Sequence, residues 1–501
     1  MINLLTYLSM NIIQRREFLK MATATAAGAI LIPTQILATE IFSVKGLQEI
    51  GNLQTLSSKN IKGSHLSIGL ETLDRDMYDP ERLYVPLENL GIKWARLQTG
   101  WNRCETVRGQ YDFGWLDQVV DKLLAKGIQP WFNLGYGNKL YIPEAVTPAA
   151  TGFVPIYTAE ALVGWNAFVE AITKHFAGRI GCWEIWNEPD TTGFWRPKGP
   201  NAEEYAELVK ITAPLIRGNI PDATIVGLAL SGCNINYLKE VMDAGLGKYV
   251  DAISFHPYHR TAGEGNTPEF DGYDRFLKAV RDLSEEQNVK LQIWQGECGE
   301  HSATLVRGTD FRYLISEKQQ AYWLLRRIIT DLSNNLERTN IMHAVDLFNY
   351  NWGDGPTDYN QYMGILRGSD YSPKPSYYAY QTLCTLFNQD ALYDPGLKIS
   401  YGNNTDEKFR SAGFNCKGKP IYAFWLATSI LDNLPFEPDK VTLQMSVLAG
   451  VSINKPVLVD PISQKVYRLQ GKTDNGVFTI KDIPLLNYPL IITDRSLIGL
   501  K

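Results

Sequence analysis

Two carboxylates, Glu188 and Glu297, sit where this sequence could do chemistry. The first ends the run Cys182-Trp183-Glu184-Ile185-Trp186-Asn187-Glu188-Pro189, apolar and aromatic until it stops on an amide, an acid and a proline. The second closes Leu291-Gln292-Ile293-Trp294-Gln295-Gly296-Glu297 in the same way. Both runs read as buried strands, and Pro189, which has no N–H for a ladder, ends the first. Each acid is therefore expected at a strand's exit. Two such acids can serve as proton donor and nucleophile, which is what glycosidic-bond hydrolysis requires. The plain alternative is a pair of strand-end carboxylates satisfied by loop amides.

The elements that must position them follow from periodicity. Candidate strands run Ser64 to Leu70, Ile92 to Gln98, Ile128 to Leu134, Gly181 to Asn187, Thr224 to Leu230, Val250 to Phe255, Leu291 to Gly296 and His343 to Asn349. Between them lie stretches with apolar residues three and four apart, among them Trp115 to Lys126, Ala159 to Phe176, Ala202 to Arg217, Tyr273 to Gln287 and Glu317 to Leu332, with a last helix from Pro375 to Phe387. Eight strand-helix units predict an α/β fold, a (β/α)8 barrel over residues 61–390, with its working residues at the carboxyl ends of its strands. By the two-residue period, Glu184, Trp186 and Glu188 are expected on one face of the fourth strand.

Residues 391–501 change to short alternating strands and turns, predicting a β-sandwich that residues 39–60 could complete. Its expected strands are Pro420 to Leu426, Lys440 to Leu448, Lys455 to Asp460, Lys465 to Gln470, Val477 to Ile480 and Pro489 to Thr493.

Composition excludes several classes. The chain has 501 residues, 45% hydrophobic and 11% aromatic, enough for a large core and more than one domain. A net charge of -5 without long single-sign runs leaves no footprint for nucleic acid. The 12 Trp and 26 Tyr suit sugar faces as well as cores. Six cysteines form no C-x-x-C and no metal-ligand spacing with the six histidines, so no structural zinc, no cofactor and no disulfide framework is expected. Residues 1–38 read as an export leader: Arg15-Arg16-Glu17-Phe18-Leu19-Lys20 before the apolar run Met21 to Ile32 resembles a twin-arginine signal. That implies a periplasmic or extracellular protein, with no membrane span in the mature chain and free buried thiols. Oligomeric state is not readable.

Taken together, Trp183 to Pro189, Gln295-Gly296-Glu297-Cys298-Gly299, Ser254-Phe255-His256-Pro257-Tyr258 and Arg96 near the end of the second strand resemble clan A of the glycoside hydrolases, in texture families 39 and 5. The resemblance spans about residues 61–390. It implies a retaining, metal-free glycosidase with Glu188 as acid/base, Glu297 as nucleophile and Asn187 as a partner of the sugar 2-hydroxyl. Cys298 departs from the aromatic often found beside the nucleophile.

Further substrate-binding candidates each carry a plainer reading. Arg96 could pair with Glu184 inside the barrel or act beside Glu297, and the two are compatible. His256 and Tyr258 share the parity of Ser254 and can reach the site, although His256 could be a satisfied core residue. Trp352, after the eighth strand, could floor a sugar subsite or pack under the rim. For Trp101, Asn133 and Trp195, plain packing competes with sugar contact. A non-catalytic carbohydrate-binding protein on the same scaffold is the alternative function. The sugar, its linkage and endo or exo cutting depend on loops such as Thr191 to Pro200 and Thr261 to Asp271.

Overall fold

A computed structural model of the chain describes residues 46–147, 149–261, 265–302, 315–351, 355, 357, 359–402, 407–432, 438–446, 448 and 450–501. The leader (1–38) and Trp352 lie outside the described residues.

Eight parallel strands close into a barrel: β1 (Leu66–Gly69), β2 (Trp94–Gln98), β3 (Gln129–Leu134), β4 (Cys182–Ile185), β5 (Thr224–Ser231), β6 (Ala252–His256), β7 (Gln292–Cys298) and β8 (Arg338–Ile341). The ring closes where Thr339, Asn340 and Ile341 pair with Leu66, Ser67 and Ile68. Each strand is followed by a helix, from Tyr84–Leu90 after β1 to Pro375–Leu386 after β8. Local sequence explains where several start: Thr158 caps Ala159–Phe176 through Ala161 N, Asn201 caps Ala202–Asn219 through Glu204 N, and Ser316 with Gln319 forms a reciprocal capping box.

The eighth strand corrects the sequence expectation. It is Arg338–Ile341, not His343 to Asn349. Its polar interior explains why hydropathy passes over it: Asn340 faces inward, accepting from Ser67 Oγ at 2.7 Å and donating to Gly296 O at 2.9 Å. The more apolar segment that follows runs above the barrel, bridged at Val345 to Leu366 and at Leu347 to Gln361.

The interior is layered with the two-residue period of its strands. Its floor is Trp131, Cys182, Val226, Ala252 and Trp294, with Trp94 packed against them. Two residues further along the same strands stand Arg96, Asn133, Glu184, Ser254 and Gly296. The barrel thus turns from aromatic floor to ionic layer within one step.

Apart from a two-stranded ribbon, Arg260–Thr261 with Gly265–Asn266, the remaining strands form an antiparallel sandwich. One sheet has eight strands, ordered Ala391–Tyr393, Phe409–Cys416, Lys419–Leu426, Leu490–Asp494, Pro456–Val459, Lys465–Arg468, Gln48–Gln54, Gly499–Leu500. The other has four, ordered Ile399–Tyr401, Lys440–Ser446, Val477–Pro484, Gly471–Asp474. The sandwich rests on the last two barrel helices, with Tyr488 stacked on Tyr322 and Phe414 edge-on to Phe387. None of the six cysteines is in a disulfide.

Candidate active site

β4 ends at Ile185, and the chain does not keep its alternation beyond it. Trp186 and Glu188 adopt left-handed backbone, φ 70 and 46, conformations uncommon for residues with a Cβ. Trp186 N donates to Leu134 O and Glu188 N to Ala229 O, the latter carbonyl lying in an irregular stretch of β5 where Leu228 and Ala229 also have positive φ. The expectation that Glu184, Trp186 and Glu188 share one face is therefore corrected. Trp186 turns away into Tyr136, Trp165 and Trp195, with Nε1 on Phe194 O. Glu188 turns over the barrel mouth.

Below the mouth, Arg96 is fully buried and makes five hydrogen bonds to four oxygens: Nε and Nη2 to Glu184 Oε2 at 2.9 and 2.6 Å, Nη2 to Asn187 Oδ1 at 2.8 Å, and Nη1 to Glu297 Oε2 at 2.9 Å and Glu71 Oε1 at 3.1 Å. Both readings of Arg96, ion pair to Glu184 and partner of Glu297, thus describe one side chain. Tyr258 Oη donates to Glu297 Oε1 at 3.1 Å. His256 Nδ1 lies 2.9 Å from Glu188 Oε1 and 3.9 Å from Glu297 Oε2.

The two acids differ in what supports their charge. Burial pushes Glu188 up to about 7, with Arg96 opposing only from a distance. Glu297 is also raised by burial, but Arg96 and Tyr258 donate directly to its two oxygens and favour its ionised form. Burial lowers His256, disfavouring its charged form, with Glu297 opposing. One ligand atom each from Glu188, His256 and Glu297 lies within 4.8 Å of the others, a spacing that could hold a small cation. The fixed Arg96 charge bonded to Glu297 disfavours a second cation there.

Above these groups opens a cavity of about 270 Å³ whose lining includes Glu71, Asn187, Glu188, Tyr258 and Glu297, with Tyr136 and Tyr350 on its wall. Of the predicted contacts, Arg96 and His256 are fully buried beneath the acids and do not line it, and three more lie further away. Trp101 is fully buried, its indole on Glu105 Oε2 and its ring stacked on Tyr141 and Phe168. Trp195 packs on Trp186 and Tyr205 and donates to Glu204. Asn133 lies one layer down, donating to Glu184 Oε2 and Trp186 O. All three support the site from behind.

Sequence reasoning missed Glu71, Arg75, Gln98 and Tyr136. Glu71 was findable: it leaves β1 as Glu188 leaves β4, on the rule that barrel strands end in their working residues. Arg75 and Gln98 carried no signal until the fold joined them, Arg75 Nη2 to Gln98 Oε1 at 2.6 Å.

Comparison with known proteins agrees with this geometry. Residues 74–295 match the model of glycosyl hydrolases family 39, a span that contains Glu188 and stops just short of Glu297. A β-xylosidase of Geobacillus stearothermophilus is 27% identical over 202 residues, 37% of this chain and 38% of that protein. A β-galactosidase of Clostridium cellulovorans is 29% identical over 140 residues, 24% of this chain and 21% of that protein. The chain thus matches well under two thirds of either relative's length. Among solved structures, a family 39 glycoside hydrolase from Bacteroides cellulosilyticus superimposes with TM-score 0.65 at 20% identity, over 88% of this chain and 83% of that one. A monomeric β-xylosidase from Caulobacter crescentus gives TM-score 0.57 at 19% identity, over 89% and 97%. The scaffold, a (β/α)8 barrel with an appended β-sandwich, is similar to the folds of these glycoside hydrolases. Within it, the likeness to family 39 is carried by residues 74–295.

Proposed function

We propose that this chain is a retaining glycoside hydrolase acting on a β-glycoside, with β-xylosides the first substrates to try because two similar proteins are described as β-xylosidases. The observation that carries the mechanism is the closeness of Glu188 and Glu297, whose nearest carboxylate oxygens lie within 4.8 Å. Retention places the two carboxyls about 5 to 5.5 Å apart, whereas inversion needs about 6.5 to 9.5 Å to admit a water between them.

Roles follow from electrostatics. Glu188, held protonated near neutral pH by burial, donates its proton to the leaving oxygen. Glu297, its charge supported by Arg96 and Tyr258, attacks the anomeric carbon and forms a glycosyl-enzyme ester. Glu188, now a carboxylate, takes a proton from the water that hydrolyses the ester. Asn187, fixed through Oδ1 by Arg96, keeps its amide N–H group for a sugar hydroxyl. The leader implies export by the twin-arginine route, and the whole reading is of an extracytoplasmic carbohydrate-degrading enzyme.

The experiment is to replace each acid in turn. Glu188→Ala should lose turnover of glycosides with poor leaving groups, keep the first step on activated aryl glycosides, and regain turnover with azide. Glu297→Ala should be inactive on both, any azide product being inverted. Full activity of Glu188→Ala on an unactivated substrate would refute the assignment.

A further inference from the structure

Between β4 and β5 a side-chain hydroxyl stands where a backbone rung belongs. The bond from Thr224 N to Gly181 O, at 2.8 Å, sets the phase of this parallel ladder, and the strands stay in register through Glu184 and Val226. Two-residue steps from that bond call for Leu228 N to donate to Ile185 O. Instead, Leu228 N donates to Tyr205 Oη at 2.6 Å, and Tyr205 Oη donates to Ile185 O at 2.9 Å. Tyr205 projects from the helix Ala202–Asn219 that follows β4; it is fully buried, with its ring edge-on to Trp195.

A bulge follows the spliced rung. β5 takes three residue steps from Gly227 to Leu230 where β6 takes two, from Ile253 to Phe255. The extra residue is accommodated by left-handed backbone at Leu228 and Ala229, φ 79 and 46, a conformation that residues with a Cβ hold only where their surroundings enforce it. Within the bulge, Ala229 O accepts from Glu188 N at 2.9 Å, just beyond the exit of β4. Two further bonds seat the same turn: Ser231 N donates to Asp190 Oδ1 at 2.9 Å, and Tyr237 Oη donates to Pro189 O at 3.3 Å.

Resting on the acid/base role proposed for Glu188, we propose that Tyr205 is a positioning residue for that acid: its hydroxyl, inserted into the rung between Ile185 and Leu228, holds the β5 bulge open and so aims Glu188 over the barrel mouth. A hydroxyl suits the place because it both accepts and donates, relaying the rung without leaving either buried backbone group unpaired. Phenylalanine has the same ring but does neither. Without the hydroxyl, the direct rung from Leu228 N to Ile185 O is the nearest way to pair both groups, and forming it closes the strands and removes the bulge that presents Ala229 O to Glu188.

The test compares Tyr205→Phe with the wild type in the full chain, on two aryl glycosides of one sugar, one with a poor and one with a good leaving group. A displaced Glu188 fails to protonate the poor leaving group, so kcat/KM on that substrate should fall by roughly 100-fold, while kcat/KM on the activated one changes little. Equal losses on both substrates, or no loss on either, overturn the proposal, since a hydroxyl serving only the fold does not discriminate between leaving groups. Amide hydrogen exchange supplies a readout that needs no activity: the Leu228 and Glu188 amides should lose protection together, and unchanged protection of the Glu188 amide also overturns the proposal. If Tyr205→Phe does not fold, Tyr205→4-aminophenylalanine, which keeps a donor for Ile185 O and accepts only weakly from Leu228 N, should show the same leaving-group dependence in smaller measure, and equal losses again overturn it. Should Glu188→Ala itself show no leaving-group dependence, the acid/base reading fails, and the exchange measurement still decides whether Tyr205 holds the turn.

Discussion

Arg96 Nη1 donates to Glu297 Oε2 at 2.9 Å while the other edge of the same guanidinium holds Glu184 Oε2 at 2.6 Å. One planar cation thus ties the ionic layer inside the barrel to the acid at its mouth. Its fork geometry is what allows this. Arg96→Lys, a point charge on a flexible stem, cannot reach Glu184, Asn187, Glu71 and Glu297 together. The expected outcome is a loss in kcat/KM of roughly 100- to 1000-fold in a folded variant, an effect of about 3–4 kcal/mol on the transition state. Steady-state kinetics alongside circular dichroism checks it, and an unchanged kcat/KM would show the pairing to be structural only.

A second expectation concerns pH. Glu188 must hold its proton for the first step, so kcat/KM on glycosides with poor leaving groups should fall as pH rises through about 7, the value burial gives its carboxyl. Glu297 must have lost its proton, so activity should also fall as pH drops through its pKa, which burial places above 4.5. A pH profile of kcat/KM reads both limbs. Glu188→Gln should abolish the alkaline limb; if the limb persists at the same pH, another group is responsible for it.

A buried pair supports the roof of the site. Lys374 Nζ, almost without exposure, donates to Asp346 Oδ1 at 2.6 Å and Ser302 Oγ at 2.9 Å, joining segments that follow β7 and β8. Lys374→Met leaves Asp346 charged and unpaired in the interior, and should cost about 3–5 kcal/mol of stability in urea unfolding. Adding Asp346→Leu should recover much of that loss. Equal stability of the single variant and the wild type would contradict the account.

Much of this arrangement was legible because barrel strands advertise themselves. Glu188 and Glu297 stand at the ends of long apolar runs, and Ser254, His256 and Tyr258 keep one parity on and beyond β6. What escaped has a physical cause in each case. Arg338–Ile341 is a strand whose inward residue is an asparagine paired across the ring, so hydropathy points instead to the apolar segment beyond it. Trp186 leaves the period of β4 because two left-handed residues, stabilised by a carbonyl of β5, turn the chain. Trp101 and Trp195 follow strand ends as predicted but face outward, where helix packing claims a large ring more readily than a sugar does.

Export offers a separate test. Arg15→Lys with Arg16→Lys should strand the protein inside the cell if the leader engages the twin-arginine route. Fractionation with immunoblotting measures it, and normal export of the double variant would contradict that route while leaving the catalytic reading untouched.

The central claim is double displacement between Glu188 and Glu297, and the anomeric configuration of the first product measures it most directly. Proton NMR during wild-type cleavage of an aryl β-xyloside, or of whichever β-glycoside the protein cleaves, should show the β-anomer first, with the α-anomer appearing only as mutarotation proceeds. The α-anomer appearing first would contradict the double displacement and the nucleophile role of Glu297.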